Sequence, residues 1–128
     1  MKTLGIGVDI VQNSRIRKSI TNKNFLLRIF TNDEINKSKK IKNKIAFFSK
    51  RFAAKEAFSK ALGTGFRKTL NFKDISITNN KNGKPSIKIN NKLHNIINKK
   101  FKTKKVNVLL SISDESEHSI AFVILEKK

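Results

Sequence analysis

The stretch Lys44–Leu62, KIAFFSKRFAAKEAFSKAL, constrains this chain more than any other. Ala, Lys and Phe dominate it, no proline interrupts it, and Gly63 follows where a left-handed residue closes a helix. Phe47, Ala54, Phe58, Ala61 and Leu62 form one apolar stripe at helical spacing, flanked by Ile45, Phe48 and Phe52. A helix this long and apolar needs other elements to cover it. With 128 residues, the chain has the length of one ordinary domain.

The covering elements are short. Leu4–Val11, LGIGVDIV, is β-branched and bounded by polar residues, which predicts a strand. Between Ser14 and Lys42 the pattern breaks into short helices: SRIRKSI, NFLLRIF and TNDEINKSKK. Thr31 followed three residues on by Glu34 is a capping-box signature for the third. Phe72–Thr78 and Pro85–Ile89 alternate with period two around NNKNGK, predicting a hairpin. Lys92–Phe101 reads as a short helix, and Val106–Ser113 with His118–Leu125, joined through DESE, as a second hairpin. The expected fold is α+β, a single domain over residues 1–128, with the long helix packed on a mostly antiparallel sheet.

Composition excludes several classes. There is no cysteine, which removes disulfides, thiolate metal sites and thiol nucleophiles. No apolar run approaches the ~20 residues that span a bilayer, and MKTLGIGVDIVQNSR lacks the features of a signal peptide. The expectation is a soluble, cytoplasmic protein with no membrane partner. Lys plus Arg number 29 against 9 Asp plus Glu, a formal net charge of +20. Such a field attracts polyanions such as nucleic acid, anionic lipid or an acidic protein. Yet 24 of those cations are Lys and only 5 Arg, beside 15 Asn and 17 Ile, a mixture typical of A/T-rich coding. The lysines are scattered, and neither a recognition motif nor basic–aromatic interleaving accompanies them.

In so basic a chain each carboxylate is informative. Asp9 lies inside an apolar strand, where a carboxylate is costly unless paired or metal-bound. Alternation puts Ile6, Val8 and Ile10 on one face and Gly5, Gly7, Asp9 and Val11 on the other. The two glycines would let a bulky ligand approach the backbone there. Asp9 reads either as a strand-end cap or ion-pair partner, or as half of a cation site with Glu56. Helical spacing aligns Phe52, Glu56, Lys60 and Gly63, so Glu56 and Lys60 read either as a solvent-facing pair or as parts of a phosphate-handling site. In the second case two carboxylates would suit Mg²⁺, while Lys60 and the Gly63-Thr64-Gly65 turn would offer donors to phosphates. His94 and His118 are too far apart in sequence for a histidine metal site. Asp114, Glu115 and Glu117 read as a solvated turn.

GIGVDIV with Arg15-Ile16, FTNDEI, RFAAKEAFSKALGTG and LSISDESEHSIAFVILE occur in this order over nearly the whole chain, with FKDISI and the NGKP turn between them. Together they resemble the holo-[acyl-carrier-protein] synthase family, the small bacterial branch of the 4′-phosphopantetheinyl transferase superfamily. The resemblance implies transfer of the 4′-phosphopantetheine arm of coenzyme A to a serine of an apo acyl carrier protein, in support of fatty acid biosynthesis. It implies Mg²⁺ on Asp9 and Glu56, and coenzyme A phosphates on Lys60 and Gly63-Thr64-Gly65. It also implies Arg51 near the nucleotide, and a homotrimer with active sites at subunit interfaces. Glu56 and Lys60 would be the catalytic residues. The carrier would dock near Arg15, Phe25 and Arg28, drawn by the basic surface. The attacking serine comes from the carrier, so no nucleophile is needed here. Its proton would pass to Glu56, to a water on the metal or to another carboxylate. Two positions depart from the family. Leu109 stands where many relatives carry histidine, and Asp114 where histidine is frequent, which leaves open how the adenosine 3′-phosphate is held. A nucleic-acid-binding module and a basic structural subunit are the rival readings, and neither gives Asp9 and Glu56 a role.

Overall fold

The structure, a computed structural model, describes residues 2–63 and 70–128. Strand β1 (Lys2–Gln12) leads into three one- to two-turn helices, α1 (Asn13–Ser19), α2 (Lys23–Ile29) and α3 (Asn32–Ser38). The long helix α4 (Lys44–Leu62) follows, then a 3₁₀ turn at Phe72–Asp74 and the hairpin β2 (Ile75–Asn79) and β3 (Pro85–Ile89). Helix α5 (Asn91–Phe101) precedes the closing hairpin β4 (Val106–Asp114) and β5 (His118–Lys127). The fold is the expected α+β arrangement.

The strands form two antiparallel sheets, one in the order β1-β5-β4 and one of β2 with β3. The first strand therefore pairs with the last, a contact between the two ends of the chain. The hairpin strand starts at Ile75, three residues later than expected, because Asp74 Oδ2 accepts the Asn71 N–H at 3.0 Å and curls Phe72–Asp74 into the 3₁₀ turn. Two expected features of the sequence hold without change. Thr31 and Glu34 form a capping box at α3, and Gly63 closes α4 in the left-handed region at φ 83°.

Helix α4 lies across the inner face of β1 and β5. Its buried surface exceeds the expected stripe: Ser49, Arg51, Ala53, Lys55, Ala57 and Ser59 are buried as well. The sheet covers one side, while the short helices and β2 cover the other.

The glycines of β1 set the closeness of that packing. A Cβ on Gly5 would overlap the carbonyl oxygen of Ala61, and one on Gly7 that of Ala57. This corrects the sequence reading of the two glycines as room for a ligand. The space is filled by the α4 backbone, because only a strand without side chains lets a helix approach so far.

Alternation along β1 is as expected, with the opposite faces in different surroundings. Val11 is buried on the helix side, whereas Ile6, Val8 and Ile10 are 62%, 53% and 61% exposed. Cross-strand register aligns them with β5 and β4 in rows: Ile6–Ile124–Leu109, Val8–Phe122–Ser111 and Ile10–Ile120–Ser113. Phe122, Ile120 and Leu109 are also exposed, so the outer face of the sheet is an open apolar patch.

Candidate active site

Because the glycines draw α4 against β1, Asp9 on the inner face of the strand meets the helix at Glu56 and Lys60. Lys60 Nζ donates to Asp9 Oδ1 and to the Val8 carbonyl, each at 3.1 Å. Lys60 therefore pairs across to the strand and not with Glu56 along its own helix, which corrects the surface-pair reading. The Asp9 side chain is only 15% exposed, that of Lys60 55%.

Burial raises the Asp9 carboxyl above its ordinary value, opposed by the Lys60 hydrogen bond and by the charges of Lys60 and Arg15. Burial also raises Glu56, the Asp9 charge raises it further, and Lys60 opposes. Two carboxylates in mutual electrostatic reach are a cost to the folded protein that a cation relieves. Among the described residues no cluster of three or more His, Asp or Glu forms. The donor set is thus a pair of hard oxygen ligands, which fits Mg²⁺, an ion that keeps several waters and uses one or two carboxylates.

The other expected residues divide. Gly63 sits one turn beyond Lys60, but its N–H already donates to the carbonyls of Ser59 and Lys60, both at 3.1 Å. Its amide is spent on the helix cap and is not a free phosphate donor, as the sequence reading had it. Thr64 and Gly65 lie outside the described residues.

Arg51 does not join Asp9 and Glu56. Five residues before Glu56, it faces another direction around α4. It is 6% exposed, with its guanidinium 3.6 Å over the Phe47 ring and Nη2 2.8 Å from Asn79 Oδ1. It lines a cavity of about 660 Å³ together with Lys37, Lys40, Lys50, Asn79 and Asp114. Leu109 is absent from that lining and belongs to the exposed apolar sheet face.

Near the strand, α1 is latched in place by Asn13, whose N–H donates to the Glu117 carbonyl at 2.8 Å and whose Nδ2 donates to the Glu115 and Ser116 carbonyls at 3.1 and 3.2 Å. The turn read as merely solvated thus positions α1 and its exposed Arg15. Arg28 on α2 is exposed too. Phe25 is half-buried, its ring 6.1 Å from those of Phe30 and Phe52, and the open apolar side chain of α2 is Leu27. His94 and His118 take no part, His118 pairing locally with Glu115 at 3.0 Å.

One constellation was missed. Lys55, beside Glu56, is fully buried and paired with Glu34. Its Nζ donates to Glu34 Oε1 at 2.6 Å, to the Ile29 carbonyl at 2.8 Å and to the Phe72 carbonyl at 3.2 Å. Glu34 in turn accepts from the N–H groups of Thr31 and Ile77 at 2.9 and 3.0 Å. The pair ties the α2–α3 junction and the β2 hairpin to α4. The available signal was Lys55 set among Ala53, Ala54, Ala57 and Phe58, four residues of a helix interior.

The sequence pattern of the 4′-phosphopantetheinyl transferase superfamily matches residues 5–123. The chain belongs to that superfamily. Relatives within it include holo-[acyl-carrier-protein] synthases. That of Pelagibacter ubique is 60% identical over 128 residues, covering 100% of both chains, and that of Ehrlichia chaffeensis is 48% identical, covering 95% of each. A holo-(acyl-carrier-protein) synthase from Bacillus anthracis, solved in complex with CoA (3′,5′-ADP), matches with a TM-score of 0.84 at 37% identity over 100% of both chains. The chain is accordingly an enzyme, a phosphopantetheinyl transferase of the holo-[acyl-carrier-protein] synthase type.

Proposed function

We propose that residues 1–128 act as one Mg²⁺-dependent domain that moves the 4′-phosphopantetheine arm of coenzyme A onto a serine of an apo acyl carrier protein. The cellular role would be to supply holo carrier for fatty acid synthesis in the cytoplasm. The observation that carries this reading is the pair of half-buried carboxylates, Asp9 on β1 and Glu56 on α4, with the Lys60 ammonium on Asp9.

The serine oxygen forms a bond to the phosphorus that carries the pantetheine arm. The bond from that phosphorus to the bridging oxygen breaks, and adenosine 3′,5′-bisphosphate leaves. Asp9 and Glu56 would hold Mg²⁺, which when bound supplies charge neutralisation at the diphosphate oxygens. Lys60 adds a mobile ammonium for the same oxygens. The serine proton would pass to Glu56, to a water on the metal or to another carboxylate.

The two halves of the machinery lie apart in one chain: Asp9, Glu56 and Lys60 in one place, the basic cavity around Arg51 in another. A homotrimer that covers the apolar sheet face and completes each site with a neighbour's Arg51 cavity accounts for both features. Lys37, Lys40 and Lys50 in that cavity supply positive charge for the adenosine 3′-phosphate, a task that Leu109 on the sheet face does not share.

Intact-mass spectrometry of an apo acyl carrier protein incubated with coenzyme A, Mg²⁺ and the enzyme tests the function. A gain of one phosphopantetheinyl arm is expected, and native spray of the enzyme should show three chains. No gain with folded enzyme and a carrier from the same source would reject the transferase reading.

The carrier's acidic surface would meet α1 and α2, where Arg15 and Arg28 are exposed and Leu27 offers an apolar contact. Arg15→Glu or Arg28→Glu should raise the KM for carrier by roughly tenfold or more, in line with electrostatic docking, while the KM for coenzyme A barely moves. Equal increases for both substrates would sink this placement.

A further inference from the structure

Lys60 makes a contact that the role proposed for it toward phosphate does not require. Its Nζ is held by two acceptors of β1, Asp9 Oδ1 and the Val8 carbonyl, both at 3.1 Å. It holds one of the two oxygens of the Asp9 carboxylate, on which a divalent cation would also draw. Its side chain is more than half exposed, whereas that of Asp9 is not.

We propose that Lys60 is a resident placeholder for the divalent cation, which displaces it from Asp9 and so hands its ammonium to the coenzyme's diphosphate. The inference rests on the reading of Asp9 and Glu56 as metal ligands and adds a coupling between metal and substrate. Asp9 and Glu56 repel when both are ionised, and Lys60 is the nearest group that relieves Asp9 when no metal is present. An ammonium and a divalent cation on one carboxylate repel at contact range, so each weakens the hold of the other. An exposed ion pair on a flexible four-carbon stem is weak, so its release costs the metal little. Once released, Lys60 stays on the same side of α4 as Glu56, one turn away, and its ammonium would be free to meet the diphosphate.

Two consequences follow from linkage. Lys60 competes with the metal, so the metal alone binds more weakly than its two carboxylates would allow. An anionic ligand that takes the ammonium strengthens metal binding, and the metal strengthens that ligand by the same factor.

Manganese(II) binding followed by electron paramagnetic resonance tests this without turnover. Wild type, Lys60→Met, Arg15→Gln and Asp9→Asn are titrated with Mn²⁺ alone and with coenzyme A present. Lys60→Met should bind Mn²⁺ alone about three- to tenfold tighter than wild type, the scale of a lost local repulsion. Arg15→Gln is the control for charge alone. Arg15 acts on Asp9 through its charge without a hydrogen bond to it among the described residues, and its loss should change Mn²⁺ affinity less than twofold, as for a screened surface charge. The strengthening of Mn²⁺ binding by coenzyme A should be smaller in Lys60→Met than in wild type. Circular dichroism of each variant checks folding, which an exposed Lys60 should not disturb.

Equal or weaker Mn²⁺ binding in Lys60→Met overturns the inference, as does an equal gain in Arg15→Gln. Binding that is lost in Asp9→Asn but unchanged in Lys60→Met overturns the inference and leaves the metal ligands standing. Mn²⁺ binding unaffected by Asp9→Asn, or absent from every form, overturns both.

Discussion

Asp9→Asn and Glu56→Gln, made singly, should each reduce phosphopantetheinyl transfer by about a thousandfold or more, equivalent to roughly 4 kcal/mol of transition-state stabilisation. The same changes should raise the melting temperature of the metal-free enzyme. Both carboxyls are held above their ordinary values, chiefly by burial, and Glu56 also by the Asp9 charge. An acid whose folded pKa lies above its unfolded value binds protons more readily when folded. Its effect on stability is therefore unfavourable once pH rises past the ordinary values of 3.8 for Asp9 and 4.5 for Glu56. A neutral amide removes that cost at pH 7. Loss of the Lys60 ion pair in Asp9→Asn offsets little, since the Lys60 side chain is 55% exposed. Activity is read by the mass gain on the carrier and stability by calorimetry in chelator. Activity lost with a lowered melting temperature would mean damage to the fold and not to a metal site. Activity retained would remove both residues from the chemistry.

The second large effect concerns stability. Lys55→Met should destabilise the protein by about 3–5 kcal/mol, because it leaves Glu34 charged and buried without its partner. That is a large share of the roughly 5–15 kcal/mol by which a domain is stable. Burial pulls Lys55 below the ordinary lysine range, with the Glu34 charge opposing, and three hydrogen bonds of Nζ hold the ammonium in place. Methionine has a similar length but donates none of them. Urea denaturation of wild type and variant measures the difference. A loss under about 1 kcal/mol would show that the site relaxes or admits water and that the pair is not a strut, since buried unpaired charge costs more than that. Lys55→Met also separates the two neighbours in sequence: it should act on stability, whereas Glu56→Gln should act on turnover.

The elements themselves were readable because each depends on neighbours in sequence. Gly63 ends α4 because a residue at positive φ closes a helix, and the Thr31–Glu34 capping box works within three residues. The two hairpins follow from alternation and from turn residues. The α+β class was reached as well, and the nearness of Asp9 to Glu56 was one of two open readings of the isolated carboxylates that the family resemblance then favoured.

What sequence alone determined, then, was local: where helices and strands begin, which face of β1 carries Asp9, and which motifs place the chain in a transferase family. Only the tertiary structure decided the long-range facts. Pairing of β1 with β5 joins the two ends of the chain, and no local pattern encodes which distant strand is chosen. Gly5 and Gly7 looked like an opening and proved to be the seat of a helix, because an absent Cβ looks the same in sequence whichever neighbour uses the space. Gly63 looked like a phosphate donor until its amide was found bonded within the helix cap. Lys55 looked like one more surface lysine among 24 until its ammonium was placed on Glu34. Charge has no address in a sequence. Whether a lysine meets solvent, a carboxylate or a metal's place depends on which segments fold against it, and in this protein that is set by how closely α4 can approach β1.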